Sequence, residues 1–198
     1  LCLEAMRLTY LLIENEHLNR PTVNALLSLM CFHSSRFPAR KDTNGEFILF
    51  NDQDENQWNY ELIAKGAYYL RQAARGSSAS KYHLEASIAY WHTIKPDMEE
   101  KWTNILLLYD KLLQIERSPV AMLNRTFALS KVHGKRKAIK EAEKLQLTHN
   151  HYYHTLLGEL YHGIDDKKSK LYFNKALSLA RTQTDKRTIS ERLLRFDE

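Results

Sequence analysis

Phe37-Pro38-Ala39-Arg40-Lys41-Asp42-Thr43-Asn44-Gly45-Glu46-Phe47-Ile48-Leu49-Phe50-Asn51-Asp52-Gln53-Asp54-Glu55-Asn56-Gln57-Trp58 breaks a sequence that otherwise reads as helix. Asp42-Thr43-Asn44-Gly45 is a tight-turn signal, because Asn and Gly tolerate positive φ. Phe47-Ile48-Leu49-Phe50 has strand chemistry, and Arg40 and Lys41 would lie on the facing arm of a small hairpin. The polar run Asn51 to Asp54 then leads into a helix that includes Trp58. A helical scaffold gains no packing from such an insert, which points to a working surface.

Outward from the insert, apolar residues recur at three- and four-residue steps. Leu1, Ala5, Leu8 and Leu12 form one stripe, and Val23, Leu26, Leu27 and Met30 a second behind Pro21, which suits the first position of a helix. Leu62, Ile63, Ala67, Leu70 and Ala74 continue the series, as do Leu84, Ile88 and Trp91. Trp102, Ile105, Leu106, Tyr109 and Leu112 give the clearest stripe. Ser118-Pro119 is a cap-and-start signal for the next helix, and Ile139, Ala142 and Leu145 mark a shorter one. The last helices are expected over about 151–162, 166–181 and 184–195. Gly76-Ser77-Ser78-Ala79-Ser80 is too short to separate domains and reads as a joint between helices.

Helices of 12–18 residues with short polar joints predict an all-α fold of stacked helical hairpins, a tetratricopeptide-like solenoid with one β-hairpin near residues 39–50. Leu157-Gly158, Tyr161, Phe173 and Ala176 fall close to tetratricopeptide positions, where small residues let two helices approach and aromatics fill the gap. The joint 163–166 is about one residue short of a 34-residue repeat. The expected organisation is one helical-repeat domain over 1–198, with helices and insert in 1–95 and repeats in 96–198.

Composition narrows the function. The chain has 198 residues, 43% hydrophobic, with 6 Gly and 4 Pro, which fits a packed helical core and neither a disordered chain nor a turn-rich β sandwich. No apolar run approaches the ~20 residues needed to cross a bilayer. Glu4 and Arg7 within the first ten residues do not suit a signal peptide, and the start in mid-pattern without Met reads as a piece of a longer protein. Cys2 and Cys31 lie in apolar helical stretches and read as reduced, buried thiols of a cytoplasmic protein. The net charge is +5, unevenly spread: residues 1–130 hold 14 Lys and Arg against 15 Asp and Glu, and residues 131–198 hold 15 against 9. That basic third could meet phosphates or an acidic protein, or be a solvated helical surface.

Signatures of chemistry are weak. Asp52-Gln53-Asp54-Glu55-Asn56 begins like a calcium loop but has Gln57 where Gly is needed and Ile63 where a bidentate Glu is needed. Asp54 or Asn56 capping the following helix is the simpler reading, with Asp52 pairing with Arg36 or Arg40 and Trp58 anchoring the loop in the core. His149, His151 and His154 lack a Cys partner for zinc and read as a polar joint. His33, His83 and His92 read as hydrogen-bonded, semi-buried residues. Ser34 and Ser35 beside His33 point to different helix faces. No nucleophile elbow, P-loop, dinucleotide fingerprint or His-Glu-x-x-His occurs, so no enzyme activity and no cofactor or metal are expected. No helix-turn-helix stands out.

His33, Arg36, Pro38-Ala39-Arg40, Asp42, Gly45, Leu49, Asp52-Gln53-Asp54 and Trp58 together resemble the C-terminal extension of a group of bacterial extracytoplasmic-function (ECF) sigma factors, in which tetratricopeptide-like repeats follow the DNA-binding regions. The resemblance continues in Ser118-Pro119-Val120-Ala121-Met122-Leu123-Asn124-Arg125 and from Arg187 to Leu193, covering almost the whole chain. One position departs: the family places Arg after Asp-Gln-Asp, and this chain has Glu55, a reversal of charge. The resemblance implies a regulatory domain acting in transcription initiation, with promoter-reading regions before Leu1. Its partners would be the sigma regions of the same polypeptide, the RNA polymerase core or a regulatory protein. Promoter DNA would be reached only through those preceding regions. Arg40, Asp52, Gln53, Asp54 and Trp58 are the expected contact surface, and His33, Arg36, Asn124 and Arg125 the structural part of the motif. The competing class is a free-standing tetratricopeptide-like adaptor that binds a protein or peptide. A ligand-binding module would instead need a deep pocket with convergent polar groups.

Overall fold

The computed structural model describes residues 2–40, 48, 53–194 and 196. Among these the chain forms ten α-helices: α1 (Cys2–Glu14), α2 (Pro21–Ser35), α3 (Tyr60–Ala73), α4 (Lys81–Trp91), α5 (Glu99–Ile115), α6 (Pro119–His133), α7 (Lys135–Leu145), α8 (His151–Tyr161), α9 (Asp166–Leu179) and α10 (Gln183–Leu194). Short 3-10 turns cover Pro38–Arg40 and Glu55–Gln57. The predicted starts at Pro21 and Ser118-Pro119 hold: α2 opens on Pro21, and the Ser118 hydroxyl accepts from the Ala121 amide at 3.1 Å. The last three helices fall where the periodicity put them.

The hairpin expected near residues 39–50 is not seen among the described residues. Ala39 and Arg40 belong instead to a 3-10 turn, because the chain past α2 keeps bonding three residues back: the Ala39 amide donates to Arg36 and the Arg40 amide to Phe37, both at 3.2 Å. Pro38 suits that turn through its fixed φ. The Ile48 amide donates to the Arg40 carbonyl at 2.9 Å. The turn 42–45 and the other residues of the expected strand lie outside the described residues.

The chain divides into two compact units, residues 1–97 with 114–116, and residues 98–113 with 117–198. In the first unit α2 is central and packs against α1, α3 and α4. Ala25, Leu27, Cys31 and Phe32 on α2 are fully buried, and Phe32 meets Tyr90 of α4 with ring centroids 5.7 Å apart. Ser28 Oγ donates to the carbonyl of Gly66 on α3 at 2.7 Å. A Cβ on Gly66 would stand 2.7 Å from the Phe32 ring, so only glycine permits this approach.

In the second unit each helix from α6 onward packs against the next, and α6 also meets α8, the neighbour pattern of stacked hairpins. Gly158 of α8 receives a hydrogen bond from Ser169 of α9 at 2.7 Å, and a Cβ there would lie 2.8 Å from the Phe173 ring. Ala176 is fully buried beside Phe173. These are the positions that read as a tetratricopeptide unit.

The stripe Leu1, Ala5, Leu8 and Leu12 is a correction. The buried face of α1 is instead Met6 and Thr9, with Cys2, Tyr10 and Ile13 partly buried. Leu8 and Leu12 are 52% and 41% exposed, and Leu11 is 50% exposed. The α1 helix is apolar on two opposite faces, which periodicity cannot rank. Among the described residues only one of them is covered.

Candidate functional site

The residues of the insert motif are brought together at the end of α2 and the start of α3, with a contribution from the end of α4. The base of the insert is closed by the Asn59 amide, which donates to the Ser35 carbonyl at 2.8 Å. The Asn59 side chain caps α3 by accepting from the Leu62 amide at 3.0 Å. Asp54 caps the 3-10 turn before it, its carboxylate accepting from the Asn56 amide at 3.0 Å and the Asn56 side-chain amide at 2.9 Å. The cap of the following helix, expected of Asp54 or Asn56, is thus Asn59, and Asp54 caps the 3-10 turn instead. Asp52 lies outside the described residues.

Trp58 is 4% exposed and anchors this arrangement in the core. The Arg36 guanidinium lies 5.9 Å from its ring centroid and the Lys95 ammonium 6.0 Å. A cation near an indole face gains about 0.5–2 kcal/mol depending on desolvation. Arg36 also donates to the His92 carbonyl at 3.4 Å, and Lys95 donates to the Gln53 carbonyl. Gln53 is buried, its side-chain amide donating to the Ile48 carbonyl at 3.2 Å. Two elements remote in sequence, the insert and the end of α4, therefore hold one another. Lys95 was missed in the sequence because nothing local marks it: it is 42 residues from its partner.

The charge here is positive. The Arg40 guanidinium meets His33 Nδ1 at 3.3 Å and lies 5.4 Å from the Phe37 ring centroid. His33 is exposed rather than semi-buried, yet desolvation where its ring meets the scaffold, then the charges of Arg40 and Arg36, push the imidazole down to about 4, so it is neutral at pH 7 and accepts from Arg40. Desolvation and neighbouring Arg40 lower Arg36 to about 10, and desolvation lowers Arg40. Both guanidinium groups stay charged at neutral pH.

Of the second unit's motif residues, Arg125 ties α6 to α5 through an ion pair with Asp110 at 2.5 Å. Asn124 is exposed and lines a groove of about 490 Å³ floored by α6 and α8. Val120, Phe127, Tyr152 and Leu156 give this groove an apolar floor, and Arg192 of α10 stands at its edge, paired with Glu159 at 2.6 Å. Sequence reading did not find the groove, since its lining comes from three helices.

Among the other histidines, His83 and His154 are held inside the scaffold. His83 is buried, with Nδ1 at the N-terminus of α4 against the Ser80 amide and hydroxyl, and Nε2 against the Ala73 carbonyl at 3.2 Å. His154 is buried with Nε2 at 2.8 Å from the Thr148 carbonyl, and desolvation lowers its pKa. His151 lies 3.5 Å from Asp185. Among the described residues no group of three or more His, Cys, Asp or Glu is placed to hold a metal ion, and no helix is long and apolar enough to cross a membrane.

Fold and site define an all-helical protein of packed helical hairpins, one of which carries a motif-bearing insert. Residues 1–74 match a family of unknown function, DUF6596. The chain is also similar to an uncharacterized protein of Rhizobium meliloti (strain 1021), 34% identical over 184 residues that make up 91% of this chain and 43% of that protein. The chain thus spans less than half the length of this relative. No solved structure matches.

Proposed function

We propose that this chain is the regulatory protein-interaction domain of a bacterial ECF sigma factor, acting in transcription initiation in the cytoplasm. The observation that carries the reading is the convergence of the motif. His33, Arg36, Arg40, Gln53, Asp54 and Trp58, which carry the resemblance, gather where α2, α3 and α4 pin the insert. Trp58, Gln53 and the Asp54 cap hold the backbone, and the exposed Glu55, Asn56 and Gln57 are offered to a partner. The relative in which the matched stretch fills 43% of the length leaves room for promoter-reading regions. The partners are the sigma regions of the same polypeptide and the RNA polymerase core. The uncovered leucines of α1, Leu8, Leu11 and Leu12, offer a second surface for the same contacts, since an apolar stripe is ordinarily buried. Glu55, where the family has Arg, shifts the charge offered to the partner.

The test is promoter-dependent transcription by the full-length protein carrying Asp52→Ala and Asp54→Ala together, with circular dichroism and melting as the folding control. Transcription is expected to collapse while the helical signal persists. Unchanged transcription would reduce the insert to a helix cap and remove this reading.

The groove of α6 and α8 favours a second reading, a tetratricopeptide-like adaptor that binds a peptide or protein with no link to transcription. Exposed Phe127 and Tyr152 are the apolar anchors such a partner would cover. A full gene without a promoter-reading region would decide for it.

A further inference from the structure

We propose that the outer face of α7, with the start of α9, binds the phosphate backbone of duplex DNA without sequence preference. Basic residues in the second unit are segregated by helix. The groove-forming α8 has no Lys or Arg, whereas α7 has five in eleven residues and α9 four in fourteen. Ala138, Ile139 and Ala142 of α7 are buried. By helical spacing Arg136, Lys137 and Lys140 lie on the opposite side, and all three are exposed. The α7 N-terminus is fastened to the turn ahead of α9 by Lys135, whose ammonium donates to the His162 carbonyl at 2.7 Å. The exposed Lys167 and Lys168 follow in the first turn of α9.

Folding does not favour this arrangement. Arg136/Lys140 and Lys137/Lys140 are like charges at i,i+4 and i,i+3, each pair destabilising by about 0.2–0.5 kcal/mol. The first turn of α7 carries no acid, its N-cap Gly134 offers no side chain to the free amides, and its cations face the positive end of the helix dipole. Nearby acids offset only part of this: Glu141 pairs with Lys144 and also attracts Lys137, Glu143 accepts from the Tyr161 hydroxyl, and Asp165 from the Lys168 amide. An arriving polyanion would relieve all of these repulsions. The partner is nucleic acid rather than an acidic protein because α7, which carries most of the charge, exposes no large apolar side chain, the exposed Ile164 and Leu171 lying only on the α9 side, and protein interfaces are anchored by buried aromatic and apolar groups. Side chains that offer charge alone suit phosphates, which position a protein without reading sequence. The inference is independent of the sigma-factor reading.

The test is fluorescence anisotropy of the whole chain with a labelled duplex of arbitrary sequence between 50 and 200 mM salt, values spanning the usual range for such binding. Binding should weaken steeply with salt. Arg136→Gln, Lys137→Gln and Lys140→Gln together should make the log–log slope shallower by about 3 and weaken binding at low salt at least tenfold. The melting temperature should stay equal or rise, because repulsions are removed. A control triple in the first unit, Lys65→Gln, Arg71→Gln and Arg75→Gln, should leave the slope as it was. Absence of salt-sensitive DNA binding, or an unchanged slope in the α7 variant, would overturn the inference. So would binding to poly-glutamate without binding to DNA, which would assign the face to an acidic protein.

Discussion

The two units use the same helix clamp in opposite chain order. In the second, Gly158 comes first, and Ser169 and Phe173 follow across a short joint; the hydrogen-bonded pair is 11 residues apart. In the first, Ser28 and Phe32 come first, and Gly66 follows 38 residues later, with the insert between. Each clamp has a serine hydroxyl on a glycine carbonyl and, four residues on, a phenylalanine over the bare Cα. The difference shows how a helical hairpin can carry an insertion. Loop-closure entropy grows slowly, by about 0.6 kcal/mol per doubling of length, so a clamp strong enough for a short joint also suffices for residues 36–59. The insert is then anchored at its base by the Asn59–Ser35 hydrogen bond.

This comparison can be broken from its strongest member downward. Phe32→Ala and Phe173→Ala remove equivalent buried rings and should each destabilise by about 3–5 kcal/mol in denaturant melts. A much smaller loss at either site would end the equivalence. Gly66→Ala and Gly158→Ala set about 1–3 kcal/mol of overpacking against a helix-propensity gain near 1 kcal/mol. Modest destabilisation of similar size is expected at both. Ser28→Ala and Ser169→Ala should each lose about 1 kcal/mol, the net worth of one hydrogen bond. An effect confined to acid pH separates the units: only the first has a clamp helix carrying His33 beside two guanidinium groups. The folded pKa of His33 is about 4 against an ordinary 6.5, so the unfolded state binds the extra proton between these values. Stability is fully present above pH 6.5 and declines as pH falls towards 4. His33→Gln should flatten that part of the pH profile of melting, while Phe173→Ala should not.

Much of the fold was legible because helix starts and stripes are local signals: Pro21, Ser118-Pro119, and the Gly158, Phe173 and Ala176 spacing. The clamp of the first unit was not read from the sequence, since its glycine follows rather than precedes its phenylalanine and the insert separates them. The α1 stripe misled because Leu8 and Leu12 are as periodic as Met6 and Thr9, and periodicity does not say which face a neighbour covers. At the site, Asp54 as a cap and Trp58 as an anchor follow from residue type and position. Lys95 on the Gln53 carbonyl, and the groove beside Asn124, depend on helices remote in sequence and became visible only with the tertiary structure.

Hydrogen exchange at the Asn59 amide, which closes the insert on Ser35, tests most directly whether the first clamp holds the insert. Gly66→Ala should speed exchange there and Gly158→Ala should not. An Asn59 amide indifferent to Gly66→Ala, or equally affected by both substitutions, would contradict the account.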